Sequence, residues 1–206
     1  MLTVILAGGR SSRMGQDKAQ LRFQDDTMLQ GLIQKYSAAL GPVAVSVDRA
    51  GRFPFSNAME LVDRYPGMGP LNGIVSAFTD TDEQEIFLTA TDLPLGDPLL
   101  AKRLAAMRSA ADACLIRLND RMIEPLFAVY GAGCLLPAIS ALESGHRSFY
   151  QLLERLCVRY AAPEELSGFD LETILWNVNT PAEYAQLRTK PGSGLQTQRE
   201  TDTAFQ

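Results

Sequence analysis

Residues 6–18 have the sequence Leu6-Ala7-Gly8-Gly9-Arg10-Ser11-Ser12-Arg13-Met14-Gly15-Gln16-Asp17-Lys18, and an apolar segment from Leu2 leads directly into them. This order predicts a strand that ends in a phosphate-binding loop. Glycines without a Cβ atom can take positive φ and let backbone N–H groups approach an anion. The local charge is positive, since Asp17 alone opposes the basic residues Arg10, Arg13, Lys18 and Arg22 in a chain of net charge −5. The stretch therefore favours a small anionic ligand.

Two common phosphate-binding motifs do not fit this stretch. A Walker loop requires Gly-Lys-Ser/Thr at its end, whereas Gly15 is followed by Gln16-Asp17-Lys18. A dinucleotide fingerprint requires Gly-x-Gly-x-x-Gly, which the adjacent glycines at 8 and 9 do not match. The sequence thus argues against a P-loop NTPase and against an NAD-binding domain.

Composition narrows the class of protein further. With 206 residues and 46% hydrophobic content, the chain is expected to form one domain. Its pI near 5.0 disfavours nucleic acid as a partner. The cysteines at 114, 134 and 157 are widely spaced and odd in number, which indicates reduced thiols and a cytoplasmic protein. No segment is long and apolar enough to predict a membrane interaction.

Strand and helix patterns alternate along the chain. We predict strands at 2–6, 43–47, 59–62, 86–90, 113–116, 125–130, 158–161 and 174–178, and helices at 28–40, 71–78, 98–107, 135–142, 149–153 and 181–188. The alternation predicts an α/β domain over residues 1–188, with a mostly parallel sheet and helices on both faces. Residues 189–206 are polar, and we expect a disordered tail that folding does not require.

Candidate ligand-binding residues follow the predicted strands. Ligands of such sheets bind outside the carboxyl ends of the strands, where Ser46, Asp48, Asp63 and Asp92 are expected. Asp92 could cap the turn at Leu93-Pro94 or bind a metal; beside a phosphate loop, the metal is favoured, because Mg²⁺ needs few carboxylates and completes its shell with water and phosphate.

Arg13 and Lys18 could be solvated surface charges, but their place in the loop favours a catalytic role. Arginine grips phosphate oxygens bidentately, whereas lysine acts as a point charge. Together they could hold a triphosphate and stabilise charge at its α-phosphorus.

Residues 6–18 resemble the signature Leu-Ala-Gly-Gly-x-Ser-x-Arg-Met-Gly-x-Asp-Lys of the molybdenum cofactor guanylyltransferases. Gly69-Pro70-Leu71-x-Gly73-Ile74 and Asn177-Val178-Asn179-Thr180-Pro181 resemble two further elements of that family. The resemblance implies a single three-layer, Rossmann-like α/β domain of the nucleotide-diphospho-sugar transferase type. It also implies Mg²⁺-dependent transfer of GMP from GTP to molybdopterin or the molybdenum cofactor, with release of pyrophosphate.

The resemblance carries roles over to individual positions. It implies that Asp92 binds Mg²⁺ and that Asn177 and Asn179 bind the acceptor, the two side chains facing the same way from a strand. Ser46 departs from an Asn in the family, and Glu124 from an amide or imidazole; His146 receives no role. The implied nucleotide-binding residues are Leu6, Ala7, Gly8, Gly9, Lys18, Ser46, Asp63 and Asp92.

The implied partners are GTP, molybdopterin or the molybdenum cofactor, and other cofactor-biosynthesis proteins or molybdoenzyme chaperones. Two alternatives stay open. The chain could be a cytidylyl- or sugar-phosphate nucleotidyltransferase, or a GTP-binding module without catalysis.

Overall fold

The computed structural model describes residues 1–8 and 17–189. The strands are β1 (Leu2–Leu6), β2 (Arg22–Phe23), β3 (Asp26–Thr27), β4 (Val43–Val47), β5 (Met59–Val62), β6 (Glu85–Ala90), β7 (Ala113–Asn119), β8 (Met122–Gly131) and β9 (Val158–Ala161). The α-helices are α1 (Met28–Leu40), α2 (Leu71–Asp80), α3 (Pro98–Arg108), α4 (Leu135–Glu143), α5 (Phe149–Leu153), α6 (Leu171–Ile174) and α7 (Pro181–Thr189).

Seven strands form one sheet in the order β5-β4-β1-β6-β8-β7-β9. β8 is antiparallel to both of its neighbours, whereas the other pairings are parallel. The predicted α/β fold with a mostly parallel sheet is therefore confirmed. β2 and β3 form a small separate hairpin, which the short sequence run did not predict.

Two apolar layers cover the two faces of the sheet. Alternate strand residues such as Ile5 and Phe87 pack with α1 and α3 in one layer, while their neighbours Val4 and Leu88 pack with α2, α4 and α5 in the other. This burial on both faces explains the continuous apolar runs of the central strands. Within the described part of the chain, no helix has the length and apolar character needed to cross a bilayer.

Side chains cap the first turn of several helices. Thr27 and Asp97 each accept a backbone hydrogen bond at the first turn of their helix. At α7 the backbone N–H of Thr180 donates to Glu183 at 2.8 Å, and the N–H of Glu183 donates to the Thr180 hydroxyl at 3.2 Å. This reciprocal pair is a capping box.

The predicted strand at 174–178 is wrong. Residues 171–174 form α6, which starts at Asp170 because its carboxylate accepts from the N–H of Thr173. Residues 176–179 have no regular secondary structure and belong to no sheet. Ile174 and Val178 are nevertheless buried. The apolar pattern therefore predicted the burial of this segment correctly, but not its secondary structure.

Candidate active site

The carboxyl ends of the central strands line a cleft of about 830 Å³. Leu6 at the end of β1 pairs with Ser46 of β4 and with Ala90 of β6, so these strands end at the same level. Beyond β1, the N–H of Ala7 donates to the carbonyl of Ser46 at 3.0 Å. The chain thus enters the predicted phosphate loop from the middle of the sheet.

Two glycines shape this side of the cleft in different ways. Gly8 lines the cleft without a positive φ, and an added Cβ would lie 3.5 Å from the Asp48 nitrogen, an ordinary contact. The protein around Gly8 therefore has room for a Cβ atom, and its packing does not require glycine at this position. By contrast, a Cβ on Gly73 in α2 would overlap the side chain of Leu6, so this glycine lets α2 approach β1.

Ser46 and Asp63 form a polar corner of the cleft. The Ser46 hydroxyl donates to Oδ1 of Asp63 at 3.4 Å, and the Asp63 N–H donates to the Val47 carbonyl at 2.8 Å. Burial raises the pKa of Asp63 to about 6, although the Ser46 hydrogen bond opposes the shift. A half-buried carboxylate that keeps an acceptor oxygen toward the cleft can receive two adjacent N–H donors of a ligand.

An ion-pair bridge closes the wall next to this corner. The Arg52 guanidinium donates to Asp48 at 2.7 Å and to Asp17 at 2.8 Å, and its side chain is only 11% exposed. Asp17 also accepts from the N–H of Ala19, at the start of the 3-10 helix Lys18–Gln20. Arg52 therefore ties the end of the predicted phosphate loop to the segment after β4.

Asp92 follows β6 and lines the centre of the cleft. Burial raises the pKa of its carboxyl, and the positive charge of Lys18 opposes that shift. Its Oδ1 atom is buried and accepts no hydrogen bond from any residue within 1–8 and 17–189. A buried carboxylate oxygen lacking a donor costs free energy unless a ligand supplies the missing interaction, and a carboxylate is the oxygen donor that Mg²⁺ uses. The site therefore fits a divalent cation.

The same residues do not make a closed metal cage. Among the residues that the structure describes, no group of three or more His, Cys, Asp or Glu side chains could hold a metal ion. A cation at Asp92 would therefore take most of its ligands from water and substrate phosphates, which is the usual arrangement for Mg²⁺.

The segment 176–180 lies against these residues. The N–H of Val178 donates to the Asp92 carbonyl at 2.8 Å, and the Lys18 ammonium donates to Oδ1 of Asn179 at 2.7 Å. The side-chain amide of Asn177 donates to the Leu175 carbonyl, two residues earlier, at 3.3 Å. Because the segment is not a strand, the expectation that Asn177 and Asn179 share one strand face is wrong.

Glu124 lies near Asp92, at the start of β8. β8 runs opposite to β6, so it begins at the edge where β6 ends. Burial raises the pKa of Glu124, the Asp92 charge raises it further, and hydrogen bonds from the Leu126 N–H and Asn177 lower it. A second carboxylate therefore lies near Asp92.

The structure brings most of the predicted residues together. Lys18 and Asp92 meet through charge, Ser46 and Asp63 through a hydrogen bond, and Asn179 contacts Lys18 directly. The predicted residues Gly9 and Arg13 lie outside the described ranges. His146 is half-buried between α4 and α5, and its N–H donates to the Ala141 carbonyl at 2.9 Å.

Sequence reasoning missed two cations of the cleft. Arg147 lines it from the loop between α4 and α5, and Arg52 bridges the two carboxylates of its wall. A single arginine in a loop follows no periodic pattern, so its contacts depend on how distant segments meet. The spacing of Asp48 and Arg52, four residues apart, was the one available local signal.

Comparison with known proteins identifies the family. The model of the MobA-like NTP transferase domain matches residues 3–160. A Pelotomaculum thermopropionicum protein named "Probable molybdenum cofactor guanylyltransferase" is 33% identical over 90% of each chain. A protein of the same name from Carboxydothermus hydrogenoformans is 32% identical, over 90% of this chain and 94% of its own.

Solved structures agree. The molybdopterin-guanine dinucleotide biosynthesis protein A of Archaeoglobus fulgidus superposes with a TM-score of 0.80 at 25% identity, covering 91% of this chain and 97% of its own. A family match over most of the chain, relatives above 30% identity and a shared fold point to one conclusion. The chain belongs to the MobA-like NTP transferase family and is a nucleotidyltransferase.

Proposed function

We propose that this protein transfers GMP from GTP to the terminal phosphate of molybdopterin or of the molybdenum cofactor, with release of pyrophosphate. The observation that carries the proposal is that Lys18 interacts with both Asp92 and Asn179, and that Lys18 and Asp92 line the cleft. Relatives named as molybdenum cofactor guanylyltransferases over nine tenths of the chain support the choice of substrates.

The nucleotide would lie between β1 and the Ser46–Asp63 corner. Leu6, Ala7, Gly8 and Lys18 line that part of the cleft, and Gly9 and Arg13 continue it in the sequence. The Asp63 carboxylate can accept the N–H and amino donors that guanine presents next to each other. Cytosine has no such pair, so Asp63 favours GTP over CTP.

Mg²⁺ is proposed as the cofactor, held by Asp92 with its otherwise unpartnered Oδ1 atom. When bound, it supplies charge neutralisation at the phosphates. The rest of the task belongs to the protein. Lys18 holds a positive charge beside Asp92, and Arg13 is proposed to add a second cation to the same end of the triphosphate.

The reaction needs no side chain to remove a proton. A phosphate monoester with a second pKa near ~6 is already largely dianionic at neutral pH. One of its oxygens forms the bond to the α-phosphorus of GTP, and the bond from that phosphorus to the pyrophosphate oxygen breaks. Two anions must meet for this, so Lys18 and Arg13 would act by lowering their repulsion and aligning the phosphates.

The acceptor would approach from the side of Asn177 and Asn179. Glu124 lies there in place of the amide or imidazole of the family, so the acceptor contacts of this protein are expected to differ. The proposal includes a cytoplasmic reaction, supported by three unpaired cysteines, and contacts with other cofactor-biosynthesis proteins or molybdoenzyme chaperones for delivery of the acceptor.

Pyrophosphate release tests this proposal. The purified chain is incubated with molybdopterin, Mg²⁺ and either GTP or CTP, and pyrophosphate and the dinucleotide product are measured. We expect release with GTP and little with CTP. Equal release with CTP would move the protein to the cytidylyl transferases, and tight GTP binding without release would make it a binding module.

A further inference from the structure

Asn179 contacts Lys18, which lines the cleft, although the family resemblance gives Asn179 to the acceptor. Its Oδ1 atom accepts from the Lys18 ammonium at 2.7 Å, a contact that joins residues 161 positions apart. Asn177, two residues earlier, contacts Leu175 and Glu124 instead. The two asparagines therefore have different surroundings and need not share one role.

The backbone of Asn179 is fixed from both sides. Its N–H donates to Oε2 of Glu183 at 2.6 Å, within the capping box of α7. On the other side, Val178 is fully buried in a small cluster with Met28, Leu95 and Leu187, and its N–H donates to the Asp92 carbonyl. A side chain on such a rigid base offers its oxygen at a defined position.

The side chain of Lys18, in contrast to this rigid backbone, is flexible. Lysine carries its charge on a flexible four-carbon stem and loses side-chain entropy whenever the ammonium is held at one place. Here the ammonium must remain near Asp92 to serve a bound triphosphate. The amide oxygen of Asn179 accepts one of its three N–H donors and so fixes where the ammonium lies.

We propose that Asn179 is a positioning residue for Lys18, so that it serves nucleotide binding as well as the acceptor side. This rests on the proposed function only in requiring that Lys18 binds nucleotide phosphate. It follows that the segment 176–180 connects the two half-sites, because one residue contacts Asp92 through its backbone and the next contacts Lys18 through its side chain.

A double-mutant cycle tests the inference. The dissociation constant of Mg²⁺–GTP is measured by calorimetry, without acceptor, for wild type, Asn179→Ala, Lys18→Met and the double variant. A ligand that must itself order a flexible side chain loses affinity, so loss of the contact that holds Lys18 in place should weaken binding by about 3–10-fold. We expect that loss for Asn179→Ala in the presence of Lys18, and less than a twofold further change when Lys18 is already methionine.

Asn177→Ala is the matched control, because it removes the same side chain two residues away. It should leave the dissociation constant of GTP within about twofold of wild type, whereas a general disturbance of the segment would weaken both variants. Asn179→Ala keeps the backbone N–H that binds Glu183. If it unfolds nonetheless, Asn179→Ser replaces it, since the shorter side chain cannot reach Lys18.

Two results would overturn the inference: unchanged GTP binding in Asn179→Ala, or an equal loss in the Lys18→Met background. A failure of the proposed function is recognised separately. If the wild-type chain binds CTP and not GTP, the substrate assignment has failed, and the same cycle run with CTP still tests the contact between Lys18 and Asn179.

Discussion

Asp63 carries an energetic cost that its place in the cleft explains. Burial raises its pKa to about 6 from the usual 3.8, so the folded protein binds this proton more tightly than the unfolded chain does. As the pH rises from about 4 to 6, the unfolded chain loses the proton first, and the folded state becomes relatively less stable. Above pH 6 the full cost of an ionised, half-buried carboxylate remains.

Replacing Asp63 by Asn should therefore stabilise the fold and weaken function. We expect Asp63→Asn to melt at a higher temperature than wild type at pH 7.5, and the difference to disappear near pH 3.5. GTP affinity should fall at the same time, because an amide cannot accept both donors of the guanine edge. A variant that is less stable than wild type at pH 7.5 would contradict the burial argument.

Variants of Asp92 and His146 distinguish a metal-dependent mechanism from one that depends on proton transfer. Asp92→Ala should abolish metal-dependent pyrophosphate release, because it removes the carboxylate proposed to hold the cation. His146→Ala should leave the rate at saturating substrate unchanged, since this side chain is not part of the lining of the cleft among the described residues. The opposite pattern, an active Asp92→Ala and an inactive His146→Ala, would require a mechanism of proton transfer.

Lys18→Ala should lower kcat by about 10²-fold or more, the loss typical of one preorganised electrostatic contact. The measurement is the rate of pyrophosphate release at saturating GTP and acceptor, with the melting temperature as a check on folding. A loss confined to KM for GTP would mean that Lys18 binds the ground state and the transition state equally well.

At the scale of elements, local side-chain chemistry predicts where a helix begins better than it predicts whether a segment is a helix or a strand. Thr27, Asp97 and the Thr180–Glu183 pair mark helix starts because their side chains bond to backbone only three residues away or fewer. The segment 174–178 was misassigned because a short apolar run shows only that it is buried. The cap at Asp170 was the local signal that could have identified α6.

The turn between β6 and α3 is where packing fixes the active-site geometry. A Cβ on Gly96 would overlap the Tyr36 hydroxyl and lie 2.8 Å from the Phe127 ring, both fully buried. Lys35 donates to the Pro94 and Gly96 carbonyls at 2.9 and 3.2 Å, which holds the same turn from α1. The position of Asp92 therefore depends on how closely α1 approaches this turn.

Gly96→Ala should destabilise the protein by about 1–3 kcal/mol, since rigid buried rings must move to admit one methyl group. The melting temperature should fall by roughly 2–12 °C. Gly31→Ala is the matched control: it lies in α1, nothing lies within 4 Å of its added Cβ, and alanine favours helix by up to about 1 kcal/mol. If Gly31→Ala lowered the melting temperature as Gly96→Ala is expected to, the packing argument would be contradicted.

At the scale of the molecule, the order of the strands could be expected only in part. Parallel strands joined by helices follow from the alternation of patterns, and the site at their carboxyl ends follows from that topology. The contact of Lys18 with Asn179 and the contact of Arg52 with Asp17 join remote parts of the chain. Such contacts depend on how distant segments pack together in the folded protein, so no local sequence pattern predicts them.

The domain boundary proposed near residue 188 can be tested by truncation. A chain ending at Thr189 keeps α7 and should retain the melting temperature and activity of the full chain. A chain ending at Thr180 loses fully buried Leu187 and the Glu183 carboxylate that holds Asn179. It should be less stable by about 2–5 kcal/mol and bind GTP more weakly. If the chain ending at Thr189 fails to fold, residues 190–206 contribute to the domain.

The central position of β1 has a consequence for how the protein is made. β1 lies between β4 and β6, so it cannot acquire both neighbours until residue 90 has been translated. At about 5–20 residues per second, the roughly 80 residues between them take on the order of 4–16 s. During that interval the nascent chain exposes an apolar strand edge of the kind that chaperones bind and that aggregation exploits.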